Sequence, residues 1–243
     1  MSFIINPYSF GSTFDPLSLS PALWLSDTGS DASVWPDLSG NGRNATQATT
    51  ANQPAIISGG LNGRQIRRFD GSNDTMTFAR FDLSAFTVFI AALRSSGGGT
   101  YQTFLQVLQS STTRAAAEIA INNDNAYGPL LIGANGQGTV YGRGGSLSEN
   151  SSRIISGIWA GGATDGASNY SLWNNGSLTT LTNSNSIGAA AGSASRIGST
   201  SSNGTVGSYL RGDIAEVLVY PTALNTTNRQ AVESYLRNKW GTP

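Results

Sequence analysis

The side chains that carry most enzyme chemistry are missing from this sequence. It contains no histidine and no cysteine in 243 residues. Without imidazole there is no Ser-His-Asp triad and no ordinary zinc hydrolase site, and without a thiol there is no thiolate nucleophile. The remaining route to hydrolysis is a pair of carboxylates, as glycoside hydrolases use. We therefore expect a protein that binds or assembles and is not an enzyme.

Two tyrosines beside polar loops are the candidates for binding a sugar. Tyr127 follows Asn125 at the end of a run rich in Asn and Asp, and Tyr141 lies between glycine-rich loops beside Arg143. An aromatic ring flanked by amide and guanidinium groups can stack on a sugar and bond its hydroxyls. The other interpretation is ordinary packing of loop tyrosines, since scattered surface aromatics are common.

Composition and charge exclude several classes of partner. Lys plus Arg equal Asp plus Glu, and no basic stripe exists to neutralise a phosphate backbone, so we expect no nucleic-acid binding. No run approaches the roughly 20 apolar residues of a membrane span, so we expect no membrane insertion. The N-terminus lacks the basic and apolar regions of a signal peptide. We expect a complete product that begins at Met1 and is not exported by that route.

Short apolar runs recur along the chain about every ten residues, with turn residues between them. Examples are Leu23–Leu25, Phe86–Leu93 and Ile214–Tyr220, and the Asn175-Gly176 step marks a hairpin turn. Such spacing is typical of β-sandwiches and jelly rolls. The pattern predicts an all-β fold of two antiparallel sheets.

Elements at the two chain ends complete the organisation. One helix is predicted over Thr226–Trp240, with Asn225 as its N-cap and an apolar stripe that packs onto the sandwich. Residues 1–20 are apolar but interrupted by Pro and Gly, which predicts an extended arm, and residues 21–243 are expected to form one domain. The arm either lies along its own sandwich or docks on a neighbouring subunit.

Two stretches resemble a known family. They are Leu23-Trp24-Leu25 with Val34-Trp35-Pro36-Asp37-Leu38-Ser39-Gly40-Asn41-Gly42 and Arg68-Phe69-Asp70-Gly71, and Gly212-Asp213-Ile214-Ala215-Glu216-Val217-Leu218-Val219-Tyr220 with Tyr235-Leu236-Arg237-Asn238-Lys239-Trp240-Gly241. Together they are similar to the LamG-like, concanavalin A-like lectin/glucanase modules of bacterial surface proteins and phage virions. The resemblance brackets nearly everything after the arm. It implies a jelly roll with a C-terminal helix and, in most members, glycan binding or adhesion.

The same resemblance implies two kinds of site. Members of the family often carry calcium, for which Asp37, Asp70, Asp74 and Asp213 are the candidate ligands, although Asp70 to Asp74 equally fit an Asx-type turn without a metal. No cofactor is required by the sequence, and calcium would be structural.

The hydrolases of this superfamily place their acids at alternate positions of one strand. The comparable strand here begins at Glu118, and Ala120 and Asn122 stand where further acids are needed. The resemblance therefore gives no support to catalysis by paired carboxylates.

Three functions are consistent with such a module. The first is a non-enzymatic phage virion accessory protein, of the capsid decoration, fibre or tail type. It would assemble as a homo-oligomer or on other virion proteins through its arm, and contact host glycans at the particle surface. The alternative is a carbohydrate-binding or adhesion module of a bacterial surface protein, located on the cell surface or outside the cell. The third, a glycoside hydrolase, lacks the required pair of acids.

Overall fold

Two antiparallel sheets form most of the molecule. The computed structural model describes residues 14–110, 115–122, 130–134, 139–144, 147–161, 169–187, 193–202 and 204–243. Sheet A contains, in spatial order, β14 (Ser177–Thr179), β13 (Tyr170–Asn174), β12 (Ser152–Trp159), β7 (Phe86–Arg94), β19 (Arg211–Tyr220), β5 (Ile66–Asp70) and β4 (Ala55–Ile57), with β1 (Leu23–Leu25) also paired to β19.

Sheet B is the second layer. It contains, in spatial order, β15 (Thr182–Ile187), β11 (Thr139–Gly144), β10 (Leu130–Ala134), β9 (Ala115–Asn122), β8 (Tyr101–Leu108), β16 (Ser195–Ile197), β6 (Met76–Phe78), β3 (Ala45–Thr46) and β2 (Val34–Trp35). A separate hairpin joins β17 (Thr200–Ser202) to β18 (Thr205–Gly207), and single 3₁₀ turns occupy Pro16–Leu19, Thr50–Asn52 and Leu61–Gly63. The predicted all-β, jelly-roll class is confirmed.

The main core lies between the two sheets. On β9 of sheet B, alternate residues Ala117, Ile119 and Ile121 point into it, as period-two alternation requires. On β7 of sheet A, Val88 and Ile90 face them. Burial of these apolar side chains supplies the main favourable term for folding.

Sheet A is apolar on its outer face as well. The alternate residues of β7, Phe89 and Ala91, belong to a second cluster with Val232, Leu236 and Trp240 of the helix α1 (Thr226–Trp240). Because both faces of β7 are covered, its sequence reads as a continuous apolar run and not as an alternation. In sheet B, the residues that alternate with the core positions include polar side chains such as Gln106 and Glu118.

The helix begins and ends where the sequence predicts. The Asn225 side chain accepts a hydrogen bond of 2.9 Å from the backbone N–H of Asn228, and Gly241 closes the helix in the left-handed conformation. An Asn N-cap and a C-terminal Gly satisfy backbone groups that the helix ends would leave unpaired. No helix of the described residues is long and apolar enough to cross a membrane.

A buried carboxylate joins the helix to the sheet. Glu216 of β19 is fully buried and accepts hydrogen bonds from Trp24 Nε1 at 2.6 Å, Trp240 Nε1 at 2.7 Å and the Tyr235 hydroxyl at 3.0 Å. Lys239, the only lysine of the chain, lies 3.0 Å from the second oxygen. Burial, and then the charge of Glu216, raise the pKa of Tyr235, so that this phenol stays a donor.

The described part of the arm packs on its own domain. Phe14 lies 6.2 Å from Tyr235 between ring centroids, and Leu19 joins the same cluster on the outer face of sheet A. The Tyr220 hydroxyl donates to the Pro16 carbonyl at 3.3 Å. Of the two arrangements open from the sequence, residues 14–20 adopt the intramolecular one, and the first thirteen residues lie outside the described part.

Replacing Glu216 tests the importance of this junction. In Glu216→Gln, the amide adds donors beside two indole N–H groups and leaves the partly buried Lys239 ammonium without this carboxylate. We expect a loss of about 3 kcal/mol in the free energy of unfolding, as for one partner removed from a buried ion pair. Urea denaturation measures it. Asp82→Asn, at an exposed aspartate that keeps an oxygen for the Ser110 N–H, is the control and should cost less than about 1 kcal/mol. Equal midpoints for wild type and Glu216→Gln would contradict the expectation.

Candidate functional site

The outer face of sheet B carries a row of mostly polar positions that runs from β3 to β15. Directly opposed residues in the antiparallel register are, in order, Thr46, Thr77, Arg196, Gln106, Glu118, Gly133, Tyr141 and Ser184. Opposed residues in neighbouring strands share a face, so the outer row lies on one face of the sheet. Their sequence neighbours, such as Leu105 and Ile119, point into the core.

Glu118 is the buried acid of the outer row. Only 3% of it is exposed, and its carboxylate accepts hydrogen bonds from the Tyr101 hydroxyl at 3.0 Å and from Gln106 Nε2 at 3.3 Å. Burial raises the pKa of Glu118, and the hydrogen bonds from these neutral donors oppose that rise without cancelling it. No cation among the described residues forms an ion pair with it.

The β17–β18 hairpin closes over the centre of the outer row. The Gln106 side chain accepts from the backbone N–H of Ser201 at 2.9 Å and donates to the Thr200 hydroxyl. The buried hydroxyl oxygens of Thr75 and Ser199 lie 2.6 Å apart, and this hydrogen bond holds the segment that leads into the hairpin. Gln106 and Glu118 are therefore supporting groups beneath the hairpin, while Thr77 and Arg196 remain partly exposed beside it.

The predicted sugar-binding residues divide between this face and the rest of the chain. Tyr141 stands in the outer row, opposite Gly133 and Ser184. Arg143, two positions further along β11, is opposite Leu131 and Thr182, so its backbone position belongs to the same face. Tyr127 and Asn125 lie outside the described residues.

Three of the four predicted calcium ligands come together elsewhere. Asp70, Asp74 and Asp213 line a pocket of about 620 Å³ at one end of sheet A, together with Arg68 and Arg211. Asp37 lies apart from them, in the loop after β2. Sequence reasoning grouped these acids by the family resemblance, and the pairing of β5 with β19 explains why three of them meet.

The protein itself already satisfies these carboxylates. Asp213 forms two hydrogen bonds with Arg68, at 2.7 and 2.9 Å. Asp70 Oδ1 accepts from the backbone N–H groups of Ser72, Asn73 and Asp74, as the Asx-turn interpretation predicts.

The Asp37 carboxylate is likewise hydrogen-bonded by the protein itself. Its carboxylate accepts from the backbone N–H groups of Trp24, Ser39 and Arg43. Among the residues that the structure describes, no group of three acidic, His or Cys side chains is arranged to hold a metal ion. Calcium binding therefore remains a prediction from the resemblance, without a ligand set that fits it here.

Sequence reasoning missed Arg196 and Gln106. The strand containing Arg196 is only three residues long, Ser195–Ile197, and lies in a run of small polar residues, so it shows too little alternation to be recognised. The one available signal is the Leu-Gln-Val step of β8, where a polar residue interrupts an apolar run and marks the outward face.

Glu118 is the single acidic residue on the described strands of sheet B. These strands therefore hold no second carboxylate to pair with it.

Comparison with known proteins identifies the fold. No family model and no curated protein sequence matches the chain. A solved Trypanosoma rangeli sialidase in complex with a difluoro-nononic acid is similar at 12% identity and TM-score 0.59, over 99% of this chain and 36% of that one. Domain 4 of the GH43 extracellular arabinanase AbnA from Geobacillus stearothermophilus, solved with arabinotriose, is similar at 13% identity and TM-score 0.59, over 89% of this chain and 98% of that one.

A third similar structure is the receptor binding domain of botulinum neurotoxin type G, at 12% identity and TM-score 0.53, over 92% of this chain and 54% of that one. The chain spans about a third of the length of the sialidase chains that it matches. At these identities the likeness shows the fold alone, so the jelly-roll module is confirmed and the narrower LamG-like assignment is not.

The Asp74 carboxylate of the acidic pocket makes the stability of the fold depend measurably on pH. Burial, with a contribution from the Asp70 charge, raises the pKa of Asp74 from 3.8 to about 6, although the Asp70 N–H bond of 2.9 Å opposes this. The pKa of Asp74 is therefore higher in the folded protein than in the unfolded chain. The stability contribution of Asp74 is therefore complete below pH 3.8 and is lost as the pH rises through about 6.

Asp74→Asn retains an oxygen for the Asp70 N–H and removes the titration. We expect it to match wild type near pH 4 and to exceed wild type above pH 6, by on the order of 1–2 kcal/mol. Urea unfolding at a series of pH values from 4 to 8 measures the difference. Asp82→Asn, at an exposed aspartate whose Oδ1 also accepts a backbone N–H, is the control. A difference between Asp74→Asn and wild type that does not change with pH would show that Asp74 does not titrate in this range.

Proposed function

We propose that this chain is a non-catalytic carbohydrate-binding module that holds a glycan on the outer face of sheet B. The observation that carries the proposal is the outer row, a line of hydroxyl, amide, guanidinium and tyrosine positions across the sheet. Sugars are recognised by such donors and acceptors, together with aromatic rings that cover their apolar faces.

The distribution of apolar surface favours this face over the others. The central strands of sheet A pack against the core on one side and against α1 and its cluster on the other, so neither face is free there. The outer face of sheet B has no such apolar cover, and its positions beside the β17–β18 hairpin are partly exposed at Thr77, Arg196 and Tyr101. A few polar groups supported by buried ones, such as Gln106 beneath the hairpin, are typical of a ligand site.

The comparisons support the alternative function better than the virion function. The AbnA domain is matched over nearly its whole length, and that structure contains arabinotriose. No finding supports a phage particle, a capsid partner or an oligomer formed through the arm, and residues 14–20 contact their own domain. We accordingly assign the protein to a cell surface or the extracellular space. Assembly on a virion stays a prediction from the sequence.

A glycan array followed by calorimetry tests the proposal. The full chain should bind at least one oligosaccharide class, and Tyr141→Ala should weaken that binding by about tenfold, which corresponds to about 1.4 kcal/mol. Leu178→Ala removes an exposed apolar side chain from the edge of sheet A and is the control, expected to leave affinity unchanged. Thermal unfolding should be the same for all three proteins. Absence of binding to every glycan, or equal loss in both variants, would overturn the proposal.

A further inference from the structure

Among the arginines whose side chains the structure describes, Arg196 alone has no hydrogen-bond acceptor and no ion-pair partner. Every other arginine whose side chain the structure describes has a hydrogen-bond acceptor or an ion pair. No hydrogen bond or ion pair joins Arg196 to any described residue, and its Nε is inaccessible to solvent and without a partner. A guanidinium offers five donors, so this group lies in the folded protein with its recognition capacity unused.

Arg196 belongs to the outer row. It stands between Thr77 and Gln106 in the cross-strand register and is partly exposed. Burial of the guanidinium lowers its pKa, and the influence of Tyr209 only partly opposes this. The fold therefore holds a cation in a half-buried place where the described residues supply no counter-ion.

Basic residues outnumber acidic ones on the strands of sheet B. The nine strands of the sheet contain two basic residues, Arg143 and Arg196, and one acid, Glu118. Glu118 is buried, whereas Arg196 is partly exposed. In a chain with no net charge, the strands of sheet B thus carry a small excess of basic residues.

We propose that the glycan is anionic, and that Arg196 forms a paired hydrogen bond with its carboxylate or sulfate group. This rests on the proposed function and adds the ligand class. The planar guanidinium fork matches both oxyanions in a bidentate arrangement, which a lysine ammonium cannot reproduce.

Matched sugar pairs test the inference. Calorimetry with the full chain compares 3′-sialyllactose with lactose, and a sulfated disaccharide with its desulfated parent. The anionic member of at least one pair should bind about tenfold more tightly than the neutral member, and the advantage should shrink as salt is added. The pair that shows the preference identifies the carboxylate or the sulfate as the recognised group.

Arg196→Gln should remove that preference, and Arg196→Lys, which keeps the charge without the fork, should restore only part of it. Arg64→Gln is the charge-matched control on the other side of the molecule, where the exposed Arg64 pairs with Asp27, and it should bind as wild type does. Thermal unfolding of each variant establishes that it is folded.

Two failures remain distinguishable. If lactose or the desulfated parent binds as tightly as its anionic partner, and Arg196→Gln binds as wild type does, the ligand class is wrong while sugar binding stands. If neither member of any pair binds and the wider array is also negative, the proposed function fails and the inference fails with it.

Discussion

The burial of the Glu216 carboxylate is the constraint on which the architecture depends. A carboxylate removed from water needs compensation from nearby donors and a counter-charge. Here Trp24 from the opening strand and Trp240, Tyr235 and Lys239 from the closing helix supply it. Residues nearly two hundred positions apart therefore meet at one group. This fixes α1 on sheet A and joins the two ends of the domain.

The position of the helix also determines which surface is left for a ligand. With α1 on the outer face of sheet A, both faces of its central strands are covered. In sheet B, the outer face carries the polar positions of the outer row. Two of the buried glutamates illustrate the difference, because Glu216 has an ammonium partner and Glu118 is surrounded by neutral donors. The first ties the framework together, and the second lies within the face assigned to binding.

Much of the fold is predictable because it follows from local chemistry. The N-cap at Asn225 and the stop at Gly241 delimit the helix, and Asn175-Gly176, with both residues at positive φ, forms the hairpin turn between β13 and β14. Strands such as β15 and β17 are not predictable in this way, since they consist mainly of Thr, Ser and Asn. Their pairing comes from neighbouring strands and not from an apolar period of their own.

The candidate site divides in the same manner. The sequence alone determined that histidine and thiolate chemistry are excluded, that the chain is a β-sandwich with one C-terminal helix, and that Tyr141 and Arg143 are candidates for binding. Only the tertiary structure decided that Arg68 pairs with Asp213, and that Arg196 and Gln106 join Glu118 and Tyr141 in one row. The reason is physical: composition and local periodicity are properties of adjacent residues, whereas a cross-strand row depends on the register between strands that are distant in the chain.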